Sequence, residues 1–402
     1  MVADRPSLVR NVSRQRVAEA LLEHATLSRA DMARITGLSK QTMSQVIAEL
    51  EDGGLVRSVG TTRGAIGRTA VTYEFARDSA YALGVDLGGS KATAALANLV
   101  GDVVAETTTS TNPRGGEAVV RQIHALAQTL AASHAIDPKR IQSLVVGTPG
   151  VVDPASGAIR LVPNIKGLSE FDVRKALADL FGRTVVIEND VNLAVLGEAW
   201  KGCARGAENA AFLALGTGVG LGLIVNGKLA RGASGAAGEI AYLPIGADLI
   251  SPEALDVGAF ELEAGSLGIL RRYRAHGGEA GSVRELFARL ADGDAIAARV
   301  LDEIAALIAQ AITVVLAIVD PEIVVLGGSI GIQPALLERV RAATKTLFAR
   351  PVRIEASALD DRAGLVGALS SAVNRLHNDL FGIPNLPGEL SSPAPEFERA
   401  AQ

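Results

Sequence analysis

Apolar residues at Val17, Leu21 and Leu22 in "SRQRVAEALLEH" recur at helical spacing and predict a first helix. Two shorter helical patterns follow in "LSRADMARITGLSKQTMSQVIAELEDGGLV". Ser28 and Asp31 form an S-x-x-D start signal, so a helix is expected from about Arg29 to Thr36, closed by Gly37. Ser39 opens the next, which runs to about Asp52 and stops at Gly53 and Gly54. In "LVRSVGTTRGAIGRTAVTYEF" the pattern turns to two strands around a glycine-rich tip. Beyond residue 80 the chain alternates buried strands, glycine turns and helices. Residues 304–319, "IAALIAQAITVVLAIV", fall short of the roughly 20 apolar residues that span a bilayer; with Gln310 and Thr313 inside it, this stretch reads as a helix buried on most sides. The last residues, "IPNLPGELSSPAPEFERAAQ", read as an extended or disordered tail.

The order helix, helix–turn–helix, two-stranded wing is that of a DNA-binding module at residues 1–76. The second helix of the pair would enter the major groove, with Ser39, Lys40, Gln41, Thr42, Ser44 and Gln45 as candidate contacts. Arg63 and Arg68 on the wing suit a backbone or minor-groove contact. The plainer reading is a small helical interaction domain. Charge favours the first: residues 1–80 hold 11 Lys/Arg against 9 Asp/Glu, and the remainder 28 against 35, within 402 residues of net charge −5. A mildly basic head on an acidic body fits a local DNA contact and excludes a general nucleic-acid coat. The single cysteine, Cys203, excludes an intrachain disulfide and a cysteine zinc site; the cytoplasm is the expected compartment, with no membrane segment.

The candidate chemistry lies in the body, expected at residues 77–380. "GVDLGGSKATAAL" (84–96) nearly matches a P-loop, but Ser90 precedes Lys91 and a strand follows where a helix should. Its glycines therefore sit in a hairpin turn, whose amides could still cradle phosphate, with Asp86 placed to help hold Mg²⁺. "AAFLALGTGVGLGLIVNGKL" repeats the strand–glycine turn–strand design. Two such hairpins predict two similar lobes facing a cleft, the layout of the actin-like sugar-kinase fold; ordinary tight hairpins are the alternative. Asp190, in "VVIENDVNL", stands at a strand-to-helix junction. It is either a helix cap or a base for a hydroxyl proton.

Seven pieces in order, "DLGGSK", "VVGTPGVVD", "VPNIKG", "ENDVNLAVLGE", "LGTGVGLGLIVNGKLARGASGAAGEI", "GAFELEAG" and "DPEIVVLGGSI", resemble the ROK family of repressors, open reading frames and kinases. The resemblance implies an α/β chain: an N-terminal winged helix-turn-helix followed by a two-lobed actin-like sugar-kinase body. It implies sugar contacts from Asn164, Asn189, Asp190, Glu239 and Glu261, and Asp190 as catalytic base if the protein is a kinase. Asp86, Gly88, Gly89, Ser90, Lys91, Gly216, Thr217 and Gly218 would flank nucleotide phosphates, with Gly327 and Gly328 near the adenosine. A homodimer or homotetramer is implied. The chain departs from the family where "GEIAY" replaces "GEIGH", so Tyr242 stands for a histidine, and where the cysteine cluster ending in "GCLE" is absent. No zinc is expected. Tyr242 either packs on a sugar or fills space left by the metal loop.

Two functions remain from the sequence. One is a sugar-responsive transcriptional regulator, a repressor in the first instance, that needs no cofactor and binds double-stranded operator DNA and a sugar or sugar derivative. The other is an Mg-ATP-dependent sugar kinase carrying a DNA-binding head. The intact "DLGGSK" keeps the second open.

Overall fold

The structure, a computed structural model, describes residues 8–63, 69–160, 165–246 and 249–382. The head comprises α1 (Leu8–His24), β1 (Leu27–Ser28), α2 (Arg29–Thr36), α3 (Lys40–Asp52), β2 (Val56–Arg63) and β3 (Thr69–Phe75), its strands ordered β1-β3-β2. The predicted helix limits hold because the caps are real. Ser28 Oγ accepts the Asp31 amide at 3.2 Å and donates to the Asp31 carboxylate at 2.7 Å. The acid thus closes on the hydroxyl, where a capping box would have it close on the cap's own amide. Gly37 takes the left-handed conformation that ends α2, and Ser39 Oγ accepts the Thr42 amide at 3.1 Å to start α3. The wing tip, with Arg68, and the tail from residue 383 lie outside the described residues.

The first lobe runs β4 (Tyr81–Leu87), β5 (Lys91–Asn98), β6 (Val103–Ser110), α4 (Gly116–Ser133), β7 (Ile141–Thr148), the short pair β8 (Val151–Val152) and β9 (Ile159–Arg160), α5 (Val173–Phe181), β10 (Val186–Asn189) and α6 (Asp190–Lys201). Its sheet has the order β10-β7-β4-β5-β6: an antiparallel meander with two parallel strands added beside β4. The second lobe repeats this with β11 (Ala210–Leu215), β12 (Val219–Val225) and β13 (Lys228–Leu229). There follow α7 (Pro252–Val257), α8 (Ala259–Ala264), α9 (Ser266–Ala275), α10 (Val283–Ala291), α11 (Ala295–Val319), β14 (Ile323–Gly327), α12 (Gly328–Gly331), α13 (Pro334–Leu347) and β15 (Arg353–Ala356). The order is β13-β12-β11-β14-β15, so the two similar lobes inferred from the hairpins are present.

Helix α11 corrects one expectation. It is 25 residues long, enough by length and composition to cross a bilayer. Its face of Val300, Leu301, Ile304, Ile308 and Ile312 is instead buried in the core of the second lobe. Burial is one-sided, not nearly complete: Gln310 is exposed and Ile318 is 77% exposed.

The chain then returns to the first lobe as α14 (Ala363–Phe381), which packs on β4, β7 and α6. Where α14 crosses α6, the backbones touch. A Cβ on Gly367 would overlap the Leu193 carbonyl, and one on Gly197 would overlap the Ala363 carbonyl. Gly84 of β4 likewise leaves room for the Leu369 backbone. The far end of α14 carries the head. Arg14 donates to the Leu380 carbonyl at 2.9 Å, and the Phe75 and Phe381 rings lie 5.4 Å apart. His377 Nε2, buried, donates to the Leu99 carbonyl at 2.6 Å. The linker is held too, by Leu99 N to the Arg77 carbonyl (3.0 Å) and by the Arg77–Asp102 ion pair (2.8 Å). One apolar cluster therefore continues from Val17, Ile47 and Phe75 in the head to Leu369 and Leu376 in α14.

Gly367→Ala is expected to destabilise the fold by about 1–3 kcal/mol or more, because the neighbouring backbone cannot yield. Gly281, whose Cβ would meet only the end of a flexible Glu285 side chain at 3.6 Å, is the control. Thermal melts in which both alanine variants match the wild type would contradict this role of the crossing.

Candidate functional site

The β4–β5 hairpin forms the first wall. The Gly88 amide donates to the Lys91 carbonyl at 2.9 Å, and Thr111 Oγ1 donates to the Gly88 carbonyl at 2.7 Å, leaving Gly89 and Ser90 as an exposed tip. Lys91 Nζ pairs with Asp361 at 2.6 Å, just ahead of α14. The Asp86 carboxyl rests on Gly364 in the first turn of α14; a Cβ there would come within 3.2 Å of it. The β4–β5 hairpin and α14 are therefore in direct contact.

At the strand–helix junction the structure distinguishes the cap from the acid. Asn189 is the cap: its Oδ1 accepts the Val191 and Asn192 amides at 2.9 and 3.0 Å, and its Nδ2 donates to the Gly150 carbonyl at 3.0 Å. Asp190 is the first residue of α6. Its Oδ1 accepts the Val191 amide at 2.9 Å. Glu239 precedes a single 3₁₀ turn at Ile240–Tyr242. Glu261, from α8, accepts the Val219 amide at 2.8 Å and occupies the space that a side chain on Gly218 would need. That glycine therefore serves the packing of Glu261.

Asp86, Asp190, Glu239 and Glu261 come together electrostatically. Burial pushes the Asp86 carboxyl up to about 7, with the nearby Asp190 raising it further and Lys91 opposing. Burial raises Asp190 against the Val191 hydrogen bond. Burial also raises Glu239, helped by Glu261 and Asp190, and raises Glu261. Four carboxyls held in poor solvent among like charges favour a partner that donates hydrogen bonds without adding negative charge.

Beside the second hairpin lies a cavity of about 910 Å³, bounded by Gly216, Thr217, Ser266, Phe287, Ser329 and Gln333. Gly327 and Gly328 shape this region from behind. Gly327 is buried against the Phe212 ring, and Gly328 turns left-handed against the Leu215 backbone. The polar atoms at this end of the cavity belong to Ser329 and Gln333, which sequence reasoning missed; the "GGSI" run pointed to the place but not to the residue. Also missed was Arg231, paired at 2.6 Å with buried Glu188, one residue before Asn189.

Tyr242 is 45% exposed, and its hydroxyl donates to the Asp256 carbonyl at 3.2 Å, tying the 3₁₀ turn to α7. Among the described residues no group of three or more His, Cys, Asp or Glu is placed to hold a metal ion. Asn164 lies outside the described residues. In the head, Lys40, Gln41, Ser44 and Gln45 are exposed on α3. Ser39 and Thr42 bond each other through their hydroxyls at 2.9 Å, so these two serve the cap first. Arg63 closes β2, and its side chain is not among those described.

Residues 82–375 match the sequence profile of the ROK family, and residues 12–64 that of the MarR family. A putative xylose repressor of Caldicellulosiruptor sp. (strain Rt8B.4) is 26% identical over 94% of this chain and 98% of its own. A glucokinase of Thermotoga maritima is 29% identical over 73% of this chain and 98% of its own. The crystal structure of a ROK family transcriptional regulator, a homologue of the E. coli MLC protein, superposes with a TM-score of 0.70 at 22% identity, over 91% of this chain and 96% of that one; at this identity the likeness speaks for the fold.

Between its ordinary value of 3.8 and about 7, Asp86 keeps in the folded state a proton that the unfolded chain has released. Stability therefore falls as pH rises through that window. Asp86→Asn is expected to melt above the wild type by a margin that widens from pH 4 to about 7 and then levels. A margin independent of pH would show that Asp86 is not held this way.

Proposed function

The chain belongs to the ROK family, and we propose that within it this protein is a sugar-responsive transcriptional repressor of carbohydrate genes, acting in the cytoplasm as a homodimer or homotetramer. The observation that carries this reading is the sharing of one helix. The first turn of α14 touches Asp86 in the cleft, and its last turn receives Arg14 and Phe75 of the head. A kinase has no need of that connection.

The physical sequence is short. Sugar hydroxyls donate to Asp190, Glu239 and Glu261, relieving carboxylates whose burial disfavours their charge. Since Asp190 opens α6 in the first lobe and Glu261 sits against the β11–β12 turn of the second, a ligand bridging them favours lobe closure. Closure displaces α14 together with α6 and so moves the heads. Two α3 helices must match half-sites spaced by a helical turn or its multiples, so a modest rotation weakens operator binding. The sugar shifts this equilibrium only by its difference in affinity for the two arrangements.

A second reading is favoured by the cavity of about 910 Å³ beside Gly216 and Thr217. Its size and polar rim fit a nucleotide, and Mg-ATP, when bound, supplies a transferable phosphoryl group. Gly216, Thr217, Ser329 and Gln333 would hold the nucleoside end, and Asp86, Gly89, Ser90 and Lys91 the phosphates. Asp190 would take the proton of the sugar hydroxyl.

The test uses a DNA site selected from random sequence by the full chain, with D-xylose and D-glucose as first probes because relatives carry those names. We expect at least one monosaccharide to weaken DNA binding tenfold or more in a fluorescence-anisotropy titration, and Asp190→Asn to abolish the response while sparing DNA affinity without sugar. ADP release from Mg-ATP in the same mixtures reads the kinase alternative. DNA binding unaffected by any monosaccharide, with Asp190-dependent turnover, would replace the repressor reading by the kinase one.

A further inference from the structure

A separate cavity of about 410 Å³ lies behind β10, bounded by α14, β7 and β10 of the first lobe and by Leu229 and Arg231 of the second. Three faces of α14 are spent on packing: Ala368, Leu369, Ala372, Val373 and Leu376 are all buried. The remaining face turns a polar stripe into this cavity. Ser371, Asn374 and Asn378 follow at helical spacing, with Arg375 beside them. All four are half-buried. The side chains of Asn374 and Asn378 make no hydrogen bond among the described residues, and Arg375 reaches only Asp379, at 3.9 Å. Their amide atoms therefore face the cavity with donors and acceptors unspent on protein.

The chemistry of the walls narrows what fits. The charges balance, for Arg231 is paired with Glu188 at 2.6 Å and Arg375 faces Asp379. There is no surplus of positive charge for a phosphate or carboxylate. Two amides and a hydroxyl offer neutral donors and acceptors in alternation, and Val145, Val186, Leu196 and Leu229 supply an apolar floor. That combination suits a ring or chain with hydroxyls on its edge and C–H groups on its face. The volume falls within the range of about 300–1,000 Å³ usual for small-molecule sites.

We propose that this cavity is a second binding site, distinct from the cleft, for a neutral polyhydroxylated molecule of monosaccharide or sugar-alcohol size. It stands independently of what the cleft binds. Its occupant would bridge the two lobes at Arg231 and Asn374, and would lie two residues along α14 from Leu380, whose carbonyl holds the head through Arg14. Occupancy there would be read by the DNA-binding end without passing through the carboxylates of the cleft.

The test is isothermal titration of the full chain with D-glucose, D-xylose, D-sorbitol and xylitol, in the wild type and in Asp190→Asn. A saturable site of one molecule per chain is expected to persist for at least one probe in Asp190→Asn. Asn374→Leu, introduced into the same background, is expected to weaken it at least tenfold. Ser371→Tyr, which fills the cavity from a different turn, guards against a folding defect, and both variants should keep the parent's DNA affinity without added probe. Binding of no probe in Asp190→Asn, or binding there that neither variant changes, would overturn the proposal and make the cavity a hydrated groove. Failure of the cleft reading looks different: wild-type binding that is indifferent to Asp190→Asn yet sensitive to Asn374→Leu.

Discussion

The close crossing of α6 and α14 is the constraint on which the rest of the molecule depends. Gly197 and Gly367 let the two backbones meet without side chains between them, so neither helix can shift without the other. Each helix begins at a cleft carboxylate, α6 with Asp190 itself and α14 with Gly364 under Asp86. Each also ends on another part of the molecule. The last turn of α6 carries Glu198, fully buried, whose carboxylate accepts Ser357 Oγ at 2.5 Å and the Leu359 amide at 3.1 Å, just beyond β15 of the second lobe. The last turn of α14 carries the head. A packed pair of this kind transmits displacement as a rigid body, because a tight interface has few intermediate arrangements.

Electrostatics gives the crossing something to respond to. Asp86, Asp190, Glu239 and Glu261 each have the charged form disfavoured by burial; Asp190 raises Asp86 further, and Glu261 and Asp190 raise Glu239. Such a cleft favours neutral hydroxyls over anions. The same carboxylates suit proton abstraction, which explains how one arrangement can serve sensing or phosphoryl transfer. What separates the uses is the attached head and the direct path to it, rather than the cleft itself.

Much of this was legible in the sequence, for local reasons. The head could be bounded from Ser28, Gly37 and Ser39 because capping is decided by neighbours within four residues. The two lobes could be inferred from the glycine hairpins because a tight turn between buried strands leaves few alternatives. The cleft carboxylates were found through motif order. What was missed depends on contacts distant in sequence. No local pattern distinguishes Gly367, which makes room for Leu193, from Gly281, which makes room for little. The hydrophobicity of α11 overstated its burial, since Ile318 is exposed on a helix whose other face fills a core. Asn189 and Asp190 could not be told apart as cap and acid without the hydrogen bonds. The polar stripe of α14 reads, in isolation, as an ordinary solvent face.

Energetic coupling between cleft and head through α14, like any coupling between binding sites, is reciprocal. The most direct measurement is the affinity for the effective sugar with and without saturating operator DNA. DNA is expected to weaken sugar binding by the same factor by which sugar weakens DNA binding. A sugar affinity that is identical in the free and DNA-bound protein would contradict it.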